Sequence, residues 1–252
     1  MSNGSAWKWD QHGRVVAPAQ PFWKTDVVIG VVYALTHDPN VSLLSGIHMR
    51  DDQSCTTFTD SCRHQKKNKF CGMGGVTLMR GKAIIWIREL TKLEIQVLPV
   101  HITEAWTALL NKYVLCFTLY TMFIPAQLDE RIDNMAAMNT FTSMKSRDPR
   151  LTDILLLKQD IDTRVPTVSR SSYINTKFNP GDLISRGLVQ EMIDLLLRAG
   201  YQKSDIVVVD LDTPEWVQRI DTSVMSQRLM DTTRDMMDPN KSKCVPTVFT
   251  IQ

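Results

Sequence analysis

The chain has 252 residues, of which 43% are hydrophobic and 22% charged, and its 29 basic and 27 acidic residues give a formal net charge of +2 at pH 7. A chain of this length buries about 70–75% of the surface that its unfolded form exposes, so it needs no cross-links to fold. The near-neutral charge excludes the strongly basic balance of a dedicated nucleic-acid binder and favours self-association.

The first 24 residues are predicted to form an extended arm, followed by a single domain over residues 25–252. The arm contains three of the six tryptophans, Trp7, Trp9 and Trp23. So many aromatic side chains are rarely left exposed, so the arm packs either on a neighbouring subunit or on its own domain. No apolar core of a secretory signal is visible in it. The odd number of cysteines, five, fits a reducing intracellular setting.

The first half of the chain is predicted to be mainly β. Residues 26–49 are apolar and β-branched on both sides of a polar break, which indicates two strands joined by a turn. Residues 76–100 predict three strands. The last of these is inferred from the alternation of Leu93, Ile95 and Val97 with polar residues.

The second half is predicted to be mainly helical. Helical spacing covers residues 103–123, 128–145 and 151–159, and residues 165–181 are predicted to be a loop. The clearest predicted helix covers residues 182–200, with Asp182 as its cap and Gly200 at its end. A fully buried strand is predicted over residues 204–212.

The segment 54–75, "SCTTFTDSCRHQKKNKFCGMGG", carries three cysteines and a histidine: Cys55, Cys62, His64 and Cys71. Structural zinc sites use ligands in pairs two to four residues apart, because one tight turn then presents both to the ion. Only Cys62 and His64 are that close. A zinc site and a local disulfide therefore remain alternatives, and a solvated loop between strands is the favoured interpretation.

A short basic run lies in the same segment. It consists of Arg63, Lys66, Lys67 and Lys69. A nucleic-acid surface combines such charges with aromatic side chains on which bases stack, and only Phe58 and Phe70 are nearby. The glycine-rich stretch that follows, "CGMGGVTLMRGK", fails the spacing of a phosphate-binding loop and is predicted to be a turn.

Asp210 and Asp212 end the predicted buried strand of the second half. Paired aspartates at such a position hold magnesium in enzymes of phosphoryl transfer. The favoured interpretation is a turn that caps a helix opening at Pro214. No nucleophile motif such as G-x-S-x-G is present. The sequence therefore names no catalytic, cofactor-binding or metal-ligating residue.

Three segments, in order, resemble the polyhedrins of insect viruses, most nearly the cypovirus type. They are "VVIGVVYALTHDPNVSLL", "RGKAIIWIRELTKLEIQVLPV" and "FNPGDLISRGLVQEMIDLLLRAGYQKSDIVVVDL". The resemblance implies an α+β fold, with an antiparallel β-sandwich core, flanking helices and an extended N-terminal arm.

The resemblance also implies a viral structural protein that is not an enzyme and has no cofactor. Homotrimers would pack into a crystalline occlusion body that embeds virions in the host cell cytoplasm, with no membrane association and with nucleic acid not expected as a partner. Loss of lysine charge near pH 10.4 would dissolve that lattice by repulsion. The alternatives are a viral matrix or nucleocapsid-type protein that binds RNA through residues 63–69, and a metal-dependent enzyme that uses Asp210 and Asp212.

Overall fold

The computed structural model describes residues 54–63, 70–79, 81–119, 127–164 and 168–238, and two short strands, β1 (Lys8–Trp9) and β2 (Val15–Val16), which pair antiparallel. Apart from those four residues, the predicted arm lies outside the described residues, as do the strands predicted over residues 26–49. None of the described helices combines the length and the apolar character needed to cross a bilayer.

Six further strands form one mixed sheet. They are β3 (Ser54–Ser61), β4 (Gly72–Met79), β5 (Lys82–Glu89), β6 (Gln127–Ile132), β7 (Val168–Tyr173) and β8 (Ile206–Asp210). The order across the sheet is β7-β6-β3-β4-β5-β8. The three strands β3, β4 and β5 are antiparallel neighbours, whereas β6 pairs parallel with β3, β7 with β6, and β8 with β5.

Helices cover both faces of this sheet. The described helices are α1 (Lys92–Val97), α2 (Val100–Leu119), α3 (Met135–Ser143), α4 (Pro149–Arg164), α5 (Gly181–Ser185), α6 (Val189–Arg198), α7 (Pro214–Arg219) and α8 (Thr222–Met237). One core lies between the sheet and α2, with α4 packed beside it, and a second core lies between the sheet and α5 and α6. The predicted antiparallel β-sandwich is therefore wrong, because parallel strands need crossover connections that place helices on the faces.

The glycine-rich stretch forms a central strand, β4, and the predicted turn is wrong there. Its glycines are needed because neighbouring side chains lie directly over the backbone. A Cβ at Gly74 would lie 2.4 Å from the Cγ2 atom of Ile184, and one at Gly75 would lie 2.7 Å from the indole nitrogen of Trp86. That indole donates a hydrogen bond of 2.8 Å to Asn111 on α2. The absent side chains thus let helices approach both faces of β4 closely.

Residues 92–97 form helix α1, although their alternation predicted a strand. Thr91 caps this helix by accepting a hydrogen bond from the backbone N–H of Glu94, whose side chain accepts one from the N–H of Thr91. This reciprocal arrangement satisfies two backbone donors that a helix start otherwise leaves unpaired. The capping box therefore decides the conformation over a period-2 pattern of only three apolar residues.

Further differences from the predicted elements occur in the second half. Strand β6 occupies the first part of the helix predicted over residues 128–145, and β7 lies within the predicted loop of residues 165–181. The predicted helix of residues 182–200 is two helices, broken at Gly187, whose φ of +76° places it in the left-handed region. Strand β8 is at the edge of the sheet, with Val207 and Val208 exposed, rather than fully buried.

We expect the substitution Glu94→Gln to lower the free energy of unfolding by about 3–5 kcal/mol, because it leaves a buried guanidinium without its counter-charge. The carboxylate of Glu94, 1% exposed, accepts hydrogen bonds of 3.2 and 2.8 Å from Arg88, and Arg88 lies over the ring of Trp106. Urea unfolding measures the change. The control Glu215→Gln removes an exposed pair with Arg219 and should change stability by less than about 1 kcal/mol. Equal losses in both variants would contradict a special role for the buried pair.

Candidate metal centre

Two aspartates meet where β3 and β6 end. Asp60 is the penultimate residue of β3, and Asp133 follows the last residue of β6. The two strands are parallel, and Thr59 is the register partner of Ile132, so Asp60 and Asp133 are the next residues along the two chains. In open α/β sheets, ligands bind beyond the carboxyl ends of the strands, and this pair lies at such an edge.

A third carboxylate comes from α2. Glu104 lies in the second turn of that helix, which packs on the face of β3 opposite to the one contacted by α5. The backbone N–H of Ser61 donates a hydrogen bond of 3.1 Å to Glu104 Oε1, and the Ser61 hydroxyl donates one of 3.0 Å to the same oxygen. These bonds hold the glutamate against the end of β3.

The three side chains converge on one point. One oxygen from each of Asp60, Glu104 and Asp133 lies within 4.8 Å of the others. Asp60 and Glu104 are 6% and 4% exposed, and Asp133 is half-buried. The second oxygen of Glu104, Oε2, is buried without a hydrogen-bond partner. A buried carboxylate oxygen with no donor is costly unless something outside the protein chain satisfies it.

The electrostatics of the group favour a bound cation. Burial, together with the nearby charge of Asp133, raises the pKa of Asp60 to about 8. Burial also raises the pKa of Glu104, with the charges of Asp60 and Asp133 as the next causes, and burial raises the pKa of Asp133. Like charges this close oppose each other's ionisation, and a divalent cation between them removes that opposition.

The segment that leads into α5 closes one side of the group. Asn179, fully buried, donates a hydrogen bond of 2.8 Å to the backbone oxygen of Thr59, and its side-chain oxygen accepts one of 3.0 Å from the N–H of Gly181. A Cβ at Gly181 would lie 2.9 Å from the carbonyl carbon of Thr59. Only glycine therefore lets α5 approach the end of β3, and from there Ser185 donates a hydrogen bond to Asp60 Oδ2.

The cysteines do not form the zinc site considered from the sequence. Cys55 and Cys62 lie at opposite ends of β3, which separates them by about 20 Å at the rise of a strand. Both are buried, as is Cys71, and none of the three forms a disulfide in the part of the chain that the structure describes. The prediction of a solvated loop is wrong for residues 54–61 and 72–75, which lie in the central strands β3 and β4. His64 and the rest of residues 64–69 lie outside the described residues.

Asp210 and Asp212 form a turn at the end of β8. The side chain of Asp210 accepts a hydrogen bond of 3.0 Å from the N–H of Asp212, and Asp212 in turn accepts one of 2.7 Å from the N–H of Glu89. Helix α7 then opens with Pro214 in its first turn, and Thr213 rather than an aspartate is the N-cap residue. The acidic group with metal-binding geometry in the described part of the chain does not include them.

The sequence did contain a signal for the carboxylate group. Asp60 ends the stretch "TTFTD" and Asp133 ends "QLDERID", so each follows a strand-forming stretch. Aspartates after two different strands meet if those strands are parallel neighbours. The signal is hidden when residues 54–75 are predicted to be a loop and residues 128–145 a helix, because neither aspartate then follows a predicted strand.

Comparisons with known proteins give weak structural likenesses. No protein-family model and no curated protein sequence matches the chain. A crystal structure of RNase H1 from the halophilic archaeon Halobacterium salinarum NRC-1 is similar with 13% identity and a TM-score of 0.41, covering 56% of this chain and 98% of that one. An N-terminal RNase H domain from Mycobacterium tuberculosis, solved as a fusion with maltose binding protein, shows 10% identity and a TM-score of 0.38, covering 58% and 99%.

A third similar structure is the human cytomegalovirus terminase nuclease domain, Mn soaked and inhibitor bound. It shows 10% identity and a TM-score of 0.32, and the likeness covers 74% of this chain and 85% of that one. At these TM-scores the likenesses assign no family to the chain.

The implied identity as a polyhedrin is wrong, because the sandwich on which it depended is absent from the described residues and a mixed sheet stands in its place. The prediction of a lattice-forming protein depended on the same sandwich and is wrong for that reason, and nothing in the described fold supports the RNA-binding matrix or nucleocapsid alternative. The prediction of a chain that is not an enzyme is also wrong, because it assumed that no group of residues is arranged for chemistry, and two buried carboxylates and a half-buried one converge at the carboxyl ends of β3 and β6.

Proposed function

We propose that this chain is a divalent-metal-dependent nuclease in which Asp60, Glu104 and Asp133 hold the metal. The observation that carries the proposal is the convergence of these carboxylates within 4.8 Å of one another, together with a buried Glu104 oxygen that lacks a protein partner. Three carboxylates form a hard, all-oxygen ligand set, which suits Mg²⁺ or Mn²⁺. Bound there, such an ion would polarise a phosphoryl oxygen and lower the pKa of a water molecule.

The protein side chains prepare this site before any substrate arrives. Asp60 and Glu104 are fixed by hydrogen bonds from Ser185 and Ser61, and their burial keeps water away from the oxygens that would face the ion. Asp133 is the least buried of the three, so a substrate would reach the group past this residue. With the metal absent, three carboxylates would repel a phosphate, so activity should depend strictly on the ion.

A nucleic acid is proposed as the substrate because basic residues follow the site closely along the chain. Strand β3 ends at the carboxylates, and Arg63, Lys66, Lys67 and Lys69 lie three to nine residues after Asp60. Such a run attracts a phosphate backbone independently of base sequence. The near-neutral charge of the whole chain predicted that nucleic acid is not a partner. The proposal departs from that untested prediction, because an active site needs only a local basic surface.

The test is a cleavage assay on the full chain. Labelled single-stranded DNA, double-stranded DNA, single-stranded RNA and an RNA–DNA hybrid are each incubated with Mg²⁺, with Mn²⁺ and with EDTA. We expect cleavage of at least one substrate with Mg²⁺ or Mn²⁺ and none with EDTA. Cleavage that persists in EDTA, or a folded protein that cleaves none of the four substrates with either ion, would contradict the proposal.

A further inference from the structure

The two most buried carboxylates of the metal centre share one feature: a serine hydroxyl donates to one oxygen of each. Ser185, on α5, donates to Oδ2 of Asp60, and Ser61, on β3, donates to Oε1 of Glu104. Both serines are buried, with exposures of 0% and 8%. The Glu104 oxygen that Ser61 does not contact, Oε2, is the one left without a protein partner.

Ser185 is held in place independently of Asp60. The backbone N–H of Gly187, two residues on, donates to Ile184, which ends the turn, and Ile184 packs over Gly74 of β4. At the other end of α5, Asn179 donates to the backbone oxygen of Thr59 on β3 and accepts a hydrogen bond from the N–H of Gly181. Because the helix is anchored at both ends, the hydroxyl of Ser185 imposes an orientation on Asp60 rather than following it.

Ser61 is also anchored from more than one side. Its hydroxyl lies 2.8 Å from the hydroxyl of Thr103 on α2, which can donate to it while the Ser61 proton is directed at Glu104. Its backbone N–H donates to the same Glu104 oxygen as its hydroxyl does. Glu104 therefore keeps one donor from Ser61 even if the hydroxyl is removed, whereas Asp60 would lose its contact with α5.

We propose that Ser185 and Ser61 are positioning residues that assign one oxygen of Asp60 and of Glu104 to the protein and leave the other oxygen to the metal. The inference rests on the proposed function, since it concerns the same site. A carboxylate that is free to rotate loses this freedom when the ion binds, whereas a carboxylate that is already fixed has none to lose. Hydrogen bonds of this kind behind a metal ligand typically change metal affinity or activity by about 10–100-fold.

The experiment measures Mn²⁺ binding to metal-free protein, by electron paramagnetic resonance of the free ion, for the wild type and for Ser185→Ala and Ser61→Ala. We expect Ser185→Ala to weaken Mn²⁺ binding by about 10–100-fold. Ser61→Ala should weaken it less, because the backbone N–H of Ser61 still donates to Glu104. Ser185→Cys keeps a weak donor of similar size and should fall between wild type and Ser185→Ala.

A matched control is available elsewhere in the molecule. Ser226 is a buried serine, 5% exposed, whose hydroxyl donates to Glu94, a buried glutamate outside the metal centre. Ser226→Ala should lower the melting temperature but leave Mn²⁺ affinity unchanged. Melting in EDTA shows whether each variant is folded, and Ser185→Cys and Ser61→Ala keep the test open if Ser185→Ala does not fold.

The outcomes separate the inference from the function on which it rests. If wild type binds Mn²⁺ no better than the ligand variant Asp60→Asn does, the metal centre itself is refuted. If wild type binds better than Asp60→Asn, and the two Ser185 variants and Ser61→Ala all match wild type, the metal centre stands and the positioning role is refuted. A loss in Ser226→Ala equal to that in Ser185→Ala would also refute it, because the effect would then be general destabilisation.

Discussion

Replacing Asp60 by Asn is expected to lower metal-dependent cleavage by more than about 100-fold while the protein stays folded, because loss of a ligand exceeds the usual 10–100-fold effect of the groups behind it. The amide is neutral and similar in size, and its oxygen can still accept the hydrogen bond from Ser185. The variant removes a charge that is costly to bury beside Asp133 and Glu104. Cleavage rates with Mn²⁺ and circular dichroism in EDTA measure the two effects.

Asp210→Asn is the matched control for this prediction. It changes the same residue type at the carboxyl end of another strand of the same sheet, β8, where Asp210 is exposed. We expect its cleavage rate to match the wild-type rate. If Asp210→Asn abolished cleavage and Asp60→Asn did not, the metal would lie at the turn after β8, and the proposed site would be wrong. Because both variants are purified in the same way, a contaminating nuclease would also show itself as equal activity in both.

In the absence of divalent metal, the folded protein should lose stability as the pH rises from about 4 to about 8. The pKa of Asp60 is raised to about 8, from the usual 3.8 of an aspartate, by burial and the charge of Asp133. Between those values the folded state keeps a proton that the unfolded state has released. This contribution to stability is complete below pH 4 and is lost as the pH rises through 8. Its size is on the order of 5 kcal/mol.

Urea unfolding in EDTA from pH 5 to pH 9, on wild type and Asp60→Asn, measures this effect, because the difference between the two isolates the titration at the carboxylate group. Asp60→Asn should be the more stable protein at pH 9. Adding Mn²⁺ should restore the stability of wild type at high pH and leave Asp60→Asn nearly unchanged, since a ligand stabilises only the state that binds it. Parallel pH profiles for the two proteins would contradict the raised pKa.

Local patterns predicted those elements whose residues carry their own signals. The part of β4 from Val76 onward, the strand β5 and the turn at Gly81, which has a φ of +71°, follow from β-branched and apolar runs around a glycine. The amphipathic helix α6 was likewise found within the helix predicted for residues 182–200. Strands β6 and β7 were missed because they are short and rich in polar residues, which become acceptable in strands only when paired within a sheet.

The candidate site is not among the sequence-based predictions, although one of its residues lies in a segment that those predictions cover. Asp60 lies inside the segment for which a zinc site, a local disulfide and a nucleic-acid surface are the alternatives to a loop. The cysteine spacing is the most conspicuous pattern of that segment, and the aspartate at the end of its threonine-rich strand is not part of it. The alternative metal pair, Asp210 and Asp212, had the same sequence signature, but its strand lies at the sheet edge, and no third carboxylate joins the two in the described residues.

By itself, the sequence determined that the chain is long enough to bury its own core, and it determined several local elements with their turns and breaks. The local elements could be predicted because they depend on residues close together in the chain. Tertiary structure alone decided the site. Asp60, Glu104 and Asp133 are separated by 104 − 60 = 44 and 133 − 104 = 29 residues, and no local pattern links them. They meet because β6 pairs parallel to β3 while α2 packs across β3. The resulting burial both raises their pKa values and prepares them for a cation, and burial is a property of the assembled fold.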